Sequence, residues 1–425
     1  MLFELLSIWA LIEIFNYIYY YFVYIFVSRK KYYYKKNNDE STWVQEYLID
    51  KIPSEELDDM LRKTFSYKGT VNKNISLNDL GYDNVLKWCA YMLYAKSMWQ
   101  LSSDQLDQSN KSVKVIENRL NIKFRPNKNK NVYMLRFGNN DIRTKWKPAI
   151  YYGAMSIVKY GVYSMLRMEG FKNFRSKKSG VLYFYRVDPS IKSHTLFIHG
   201  FGFGIMPYKN FINALSKKRN IIFPILPNIS NMEYHSYFDP LTYNTLFPEY
   251  DIWRSDFDML VNKFKIKELN IVAHSFGTII SSLAIKHDKI NHIINKVVLI
   301  EPVCFIEGSY KIYRYINEPY DGKSIIVSKI MDYMLYQDIY TRYVTQRFMY
   351  GPEFWIKNVN KLKEFNHYVI VTGCDQIVPS NKLKKIFKKE NINYSYIKDT
   401  HHADLFLSNK HTNNLNKILI FLDDK

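Results

Sequence analysis

The chain opens on an apolar run. From Leu2 to Val27 nearly every position is aliphatic or aromatic, and the run is long enough to cross a bilayer as a single helix. Three stretches with helical spacing follow. One begins at Ser54-Glu-Glu-Leu-Asp-Asp-Met, with acidic residues in its first turn, and the others span Val85 to Trp99 and Ala149 to Met168. Loops rich in lysine and asparagine, such as Pro126-Asn-Lys-Asn-Lys-Asn, separate them. After residue 178 the pattern changes to short, unbroken apolar runs that end in turn residues, as expected of strands buried on both faces of a parallel sheet.

The run Leu269-Asn-Ile-Val-Ala-His leads through Ser275-Phe-Gly into a helical pattern. A serine hydroxyl is a weak nucleophile, and a sharp strand-to-helix turn exposes it beside the amides that open the helix. The residues two before and two after must be small because the turn crowds neighbouring backbone; they are Ala273 and Gly277. Ser275 is the candidate nucleophile, and Phe276 carries the amide next to it. Upstream, His194-Thr-Leu-Phe-Ile-His-Gly-Phe-Gly-Phe-Gly is a strand followed by a glycine-rich loop containing Phe201. Downstream, His367-Tyr-Val-Ile-Val-Thr-Gly-Cys-Asp places Asp375 in a turn after a strand, and Glu301 ends another strand, so either carboxylate fits the role of an acid that orients a histidine. A last strand, Tyr394-Ser-Tyr-Ile, precedes His401 and His402.

These motifs, in this order, resemble the α/β-hydrolase superfamily over residues 178–425. Ile300-Glu-Pro-Val-Cys-Phe with the His-Gly-Phe-Gly-Phe-Gly run is similar to poorly characterised membrane-anchored members. The resemblance implies an α/β fold with a mostly parallel sheet flanked by helices. It also implies a cap insertion at about 303–362, centred on Ser309 to Met349. Ser275, Asp375 and His402 would form the triad, with Glu301 the alternative acid. His402, followed by Ala403 and an apolar helix start, takes the general-base position ahead of His401. The amides of Phe201 and Phe276 would form the oxyanion hole, and the resemblance calls for no cofactor and no metal. The tyrosine, methionine and phenylalanine of the cap suit an acyl chain, or equally the packing of helices on the sheet.

The expected organisation is an anchor at 1–28, a basic linker and mainly helical extension at 29–177, and the hydrolase domain at 178–425. The expected function is a membrane-anchored serine hydrolase of carboxylic esters, with lipid esters preferred. An acyltransferase or thioesterase on the same fold is the alternative enzyme, because an alcohol can resolve an acyl-enzyme as water does. The His-x4-Asp acyltransferase signature is missing, since Leu407 stands in that place. A non-catalytic membrane scaffold is the third reading. Ser275 disfavours dehalogenase and epoxide-hydrolase chemistry, which uses an aspartate nucleophile on this fold.

The net charge of +20 changes this picture only slightly. Lysine, asparagine, isoleucine and tyrosine are abundant throughout, a drift of the whole composition, and no zinc spacing, phosphate loop or helix-turn-helix accompanies the charge. Nucleic acid is not an expected partner; an anionic membrane surface is. The cysteines Cys89, Cys304 and Cys374 are three in number and without paired spacing, which fits a reducing compartment. Thirteen Leu, Ile, Val or Phe between Leu5 and Val27 favour insertion by roughly 4 to 8 kcal/mol. Glu13 opposes it by about 3 kcal/mol, with Asn16 and five tyrosines adding to the cost. Arg29, Lys30, Lys31, Lys35 and Lys36 follow the run, so the positive-inside rule puts the body in the cytosol. Oligomeric state is left open by the sequence.

Overall fold

The computed structural model describes residues 2–29, 42–68, 75–135, 142, 144–230, 248–306, 333–334, 337–347 and 350–424. Within these, the predicted cap is represented by its two ends and by 333–334 and 337–347; the rest of it lies outside the described residues.

Ten strands are present among the described residues: β1 Phe65–Tyr67, β2 Val132–Met134, β3 Lys172–Arg175, β4 Leu182–Arg186, β5 His194–Ile198, β6 Asn220–Ile225, β7 Leu269–His274, β8 Ile294–Ile300, β9 Asn366–Thr372 and β10 Tyr394–Ile397. β1 and β2 pair with each other, and the other eight form one sheet in the order β10-β9-β8-β7-β5-β6-β4-β3. β4 runs antiparallel to β3 and β6, and every other neighbouring pair is parallel. The sheet therefore begins at Lys172, ahead of the boundary at 178 read from the sequence. β3 is an edge strand whose Lys172, Asn173 and Arg175 are exposed, so it carries no apolar run to betray it.

The central strands are buried on both faces. All six residues of β7 are buried, and the side chains alternate: Ile271 and Ala273 enter one core while Val272 enters the other. Each fully buried Val, Leu or Ile contributes about 1.5–3 kcal/mol. The carboxyl ends of β5, β7, β8 and β9 consequently form a firm edge. Register aligns them there, with Ile198 opposite Ala273, His274 opposite Ile300, and Ile300 opposite Ile370.

Among the described residues the helices include α1 Leu2–Arg29, α2 Ser54–Thr64, α3 Tyr82–Tyr94, α4 Ser103–Leu120, α5 Ala149–Met168, α6 Lys209–Leu215, α7 Tyr250–Phe264, α8 Gly277–Ile285, α9 Ile339–Arg347, α10 Ser380–Lys389, α11 Asp404–Leu407 and α12 Thr412–Asp423. α5, α6 and α12 cover one face of the sheet through Leu166, Ile212 and Ile418. α7, α8 and α10 cover the other, and there the core continues into the N-terminal extension through Leu57, Trp88 and Ile116. Tyr350 joins the two parts, donating to the Met92 carbonyl at 2.7 Å and meeting Tyr91 edge to face.

α1 departs from the expectation that its polar residues stand in lipid. The Ala149 N–H, at the start of α5, donates to both carboxylate oxygens of Glu13 at 3.0 and 3.1 Å. Asn16 donates to the Lys147 carbonyl at 2.8 Å, and the hydroxyls of Tyr19 and Tyr340 lie 2.8 Å apart. With Val23 and Val27 buried, these residues form a stripe at helical spacing that binds α1 to the body. The opposite side, including Phe3, Leu11, Phe15 and Phe22, is exposed. Asn228, the first residue of the Asn-x-Ser glycosylation sequon Asn228-Ile-Ser230, is fully buried and has left-handed backbone, so it offers no glycan acceptor in the folded protein.

Candidate active site

β7 ends at His274, and the chain reverses at once into α8. Ser275 sits in the reversal with φ +49°, a left-handed conformation unusual for a residue with a side chain. The Ser275 N–H donates to the Ile300 carbonyl at 2.9 Å, and Thr278 Oγ donates to the Ser275 carbonyl at 2.6 Å. Space is tight as well. A Cβ on Gly277 would stand 2.2 Å from the Ile198 carbonyl oxygen and 2.7 Å from that of His199, so only glycine fits. Gly277→Ala is expected to cost at least about 1–3 kcal/mol, the usual cost of overpacking. Denaturant unfolding would measure it, and an unchanged midpoint would remove the steric argument.

Left-handed backbone at the serine, set between a buried strand and a buried helix in a sheet of this strand order, decides the architecture. The chain has the α/β-hydrolase fold. In this fold the carboxyl edge of the sheet is where loops converge, and three sequence candidates meet there. His402 Nε2 lies 2.8 Å from Ser275 Oγ, and His402 Nδ1 lies 2.7 Å from Asp375 Oδ2. Asp375 Oδ1 accepts the N–H groups of Ile377 and Val378, both at 2.8 Å, which fixes the carboxylate. His401 is exposed and its N–H donates to Asp404, so the structure brings His402, not His401, to the serine.

Glu301 is present too, in a supporting position. It follows β8 with φ +49°, is fully buried, and has one oxygen 3.4 Å from His402 Nδ1. Its carboxylate accepts from the Ala403 N–H at 2.8 Å, from Thr372 Oγ at 2.8 Å and from His274 Nε2 at 2.7 Å. Burial alone would raise its pKa, but His402 and His274 more than offset that and hold it down at about 2. For His402, burial opposes the charged form; Asp375 and Glu301 together outweigh it and push the imidazole up to about 9. His274, Glu301 and His402 also bring one donor atom each within 4.8 Å of one another, a spacing open to a metal ion. Each of those atoms is already engaged by a neighbouring protein group, so the cluster reads as a hydrogen-bond network.

Phe276 directly follows the serine and caps α8, while Phe201 follows Gly200 in the loop after β5. That loop approaches closely, since a Cβ on Gly200 would lie 3.1 Å from Ser275 Cβ. His199 pins it. Its Nδ1–H donates to the Gly200 carbonyl at 2.7 Å and its Nε2 accepts the Leu226 N–H at 2.9 Å, and burial holds it neutral with a pKa of about 4. The polar partners His274 and Tyr208 are absent from the sequence reading. His274 had a signal, a lone histidine closing an apolar strand; Tyr208, from a short turn before α6, had none.

No protein-family model matches the chain, and no curated protein matches it. Solved structures to which the chain is similar include a bacterial membrane phospholipase A, 12% identical over 65% of this chain and 94% of that one, with a TM-score of 0.44. Carboxylesterase CesB from Bacillus subtilis is 15% identical over 64% of this chain and 99% of its own, with a TM-score of 0.42. Naproxen esterase from Bacillus subtilis is 10% identical over 64% of this chain and 98% of its own, with a TM-score of 0.45.

Proposed function

We propose that the protein is a serine ester hydrolase acting on lipid esters at a membrane surface. The observation that carries this reading is the unbroken contact from Ser275 Oγ through His402 to Asp375 on a strained turn. His402 Nε2 removes the Ser275 proton as Oγ attacks the ester carbonyl, and Asp375 holds the imidazole by its Nδ1–H. The amides of Phe201 and Phe276 take the charge that develops on the carbonyl oxygen. Collapse transfers the His402 proton to the departing alcohol and leaves an acyl-serine. Water, deprotonated by His402, then releases the acid and restores the serine.

α1 supports the membrane part. Its apolar stretch Phe3–Ser28 is long enough to span a bilayer and is largely exposed, and the outer face of α5 adds exposed Ile150, Ile157 and Met168. The basic run after Arg29 favours a cytosolic body. Because Val23 and Val27 belong to the core, the clean test leaves them in place: Phe15→Asp with Phe22→Asp is expected to move the protein from the floating to the soluble fraction in vesicle flotation. Unchanged flotation would remove α1 as the attachment.

Substrate preference is tested with nitrophenyl esters of increasing acyl length. An apolar acyl site contributes about 0.8 kcal/mol per methylene, so kcat/KM should rise about fourfold per carbon until the site is full. A flat series, or one that peaks at acetate, would leave a general esterase; transfer of the acyl group to added alcohol in place of water would favour an acyltransferase.

A further inference from the structure

Several buried polar groups next to the site take no part in the proton transfers above. Gly200 N–H donates to Tyr208 Oη at 3.1 Å, and Tyr208 Oη lies 2.7 Å from His274 Nδ1. His274 Nε2 lies 2.7 Å from Glu301 Oε2, and the same oxygen is 3.4 Å from His402 Nδ1. Hydrogen-bond valence orients the whole series. Glu301 is an acceptor, so His274 Nε2 carries the proton; burial holds the His274 imidazole neutral, so its Nδ1 accepts. Tyr208 must then donate to His274, and burial keeps its phenol protonated. The phenol oxygen keeps a lone pair for the Gly200 N–H. Every donor in the series has one acceptor, and the direction runs one way from the loop after β5 to the carboxylate beside the base.

The loop end is clamped from two sides. Tyr208 holds the Gly200 N–H, and His199 holds the Gly200 carbonyl. That carbonyl shares a trans peptide plane with the Phe201 N–H, so fixing the oxygen sets the direction of the amide. Contact is close enough to require glycine, because a Cβ on Gly200 would meet His274 Nδ1 at 2.7 Å and Tyr208 Oη at 3.0 Å. The Tyr208 ring is itself wedged between Phe197 and Phe406, with centroids at 5.3 and 4.6 Å.

We infer that Tyr208 and His274 are positioning residues. Through one continuous hydrogen-bond series they hold the Gly200–Phe201 peptide in fixed relation to Glu301 and the His402 imidazole. The inference rests on the serine-hydrolase reading and adds a role for two residues outside the triad. It predicts that loosening the series weakens stabilisation of the oxyanion while leaving ground-state binding alone.

The test compares Tyr208→Phe, His274→Gln and His274→Ala with the full-length wild type. Tyr208→Phe keeps the ring and deletes only the hydroxyl. Loss of an oxyanion donor itself costs about 10²–10³ in kcat. A donor merely set free to wander is expected to cost on the order of tenfold or more, with KM unchanged. Affinity for a trifluoromethyl ketone, whose hemiketal with Ser275 carries the oxyanion, should fall by the same factor. Glutamine supplies one donor and one acceptor, so His274→Gln should retain most activity where His274→Ala does not. Thermal melting separates unfolding from loosening, and if His274→Ala fails to fold, Tyr208→Phe decides alone. A folded Tyr208→Phe with wild-type kcat and wild-type ketone affinity overturns the inference and leaves the series as packing. A wild type that neither hydrolyses ester nor binds the ketone removes the hydrolase reading itself, and the inference with it.

Discussion

Ser275→Ala is expected to end covalent labelling by a fluorophosphonate and to lower ester turnover by about 10⁶-fold, the scale on which removal of a triad serine acts. The methyl side chain fits without strain beyond that already held at φ +49°, and the hydroxyl's hydrogen bond is to His402 Nε2 at 2.8 Å. Stability should therefore change little, and a melting curve beside the labelling gel separates lost chemistry from lost folding. Labelling that survives in the variant would transfer the nucleophile to another serine. Turnover that survives without labelling would remove acyl-enzyme chemistry.

The second large effect concerns the two carboxylates. Loss of the orienting carboxylate in a triad costs about 10⁴ in kcat, mainly because the imidazole adopts the wrong tautomer. Here Glu301 stands 3.4 Å from the same nitrogen that Asp375 holds at 2.7 Å. Asp375→Asn is accordingly expected to cost less, on the order of a hundredfold, because Glu301 still accepts the Nδ1–H; adding Glu301→Gln should bring the loss to the full scale of about 10⁴. A single Asp375→Asn as damaging as the double would deny Glu301 any share. The pH profile gives an independent reading. His402 must be neutral to accept the serine proton, and its pKa is pushed up to about 9, so kcat/KM should rise with pH and level off above that value. Glu301→Gln removes one of the two negative charges that favour the imidazolium, so the rising limb should move to lower pH. A limb that stays put, or moves up, would contradict the electrostatic account.

How much of this was legible depends on how locally each feature is encoded. The strand, serine turn and helix lie within seventeen consecutive residues, Leu269–Ile285, and a change from unbroken apolar to small residues announces them. Asp375 and His402 could be read only through the order of strands, because nothing in their own neighbourhoods says that they meet; the fold brings together residues 275, 375 and 402. Glu301 was visible as a carboxylate closing an apolar run, but its place behind Asp375 follows from β8 and β9 pairing side by side, which no periodicity records. Glu13 shows the same limit. Read alone it is a charge in an apolar helix, and the Ala149 amide that donates to it lies in another helix.

Thr372 has one hydroxyl proton and two carboxylates within reach, Glu301 at 2.8 Å and Asp375 at 3.3 Å. The histidine is likewise offered two anions rising from adjacent strand ends. Such a site is redundant in an evolutionary sense. If Asp375→Asn keeps the partial turnover expected of it, a lineage can lose one acid while the other takes over, and the acid can migrate from one strand end to the next without passing through a dead ancestor.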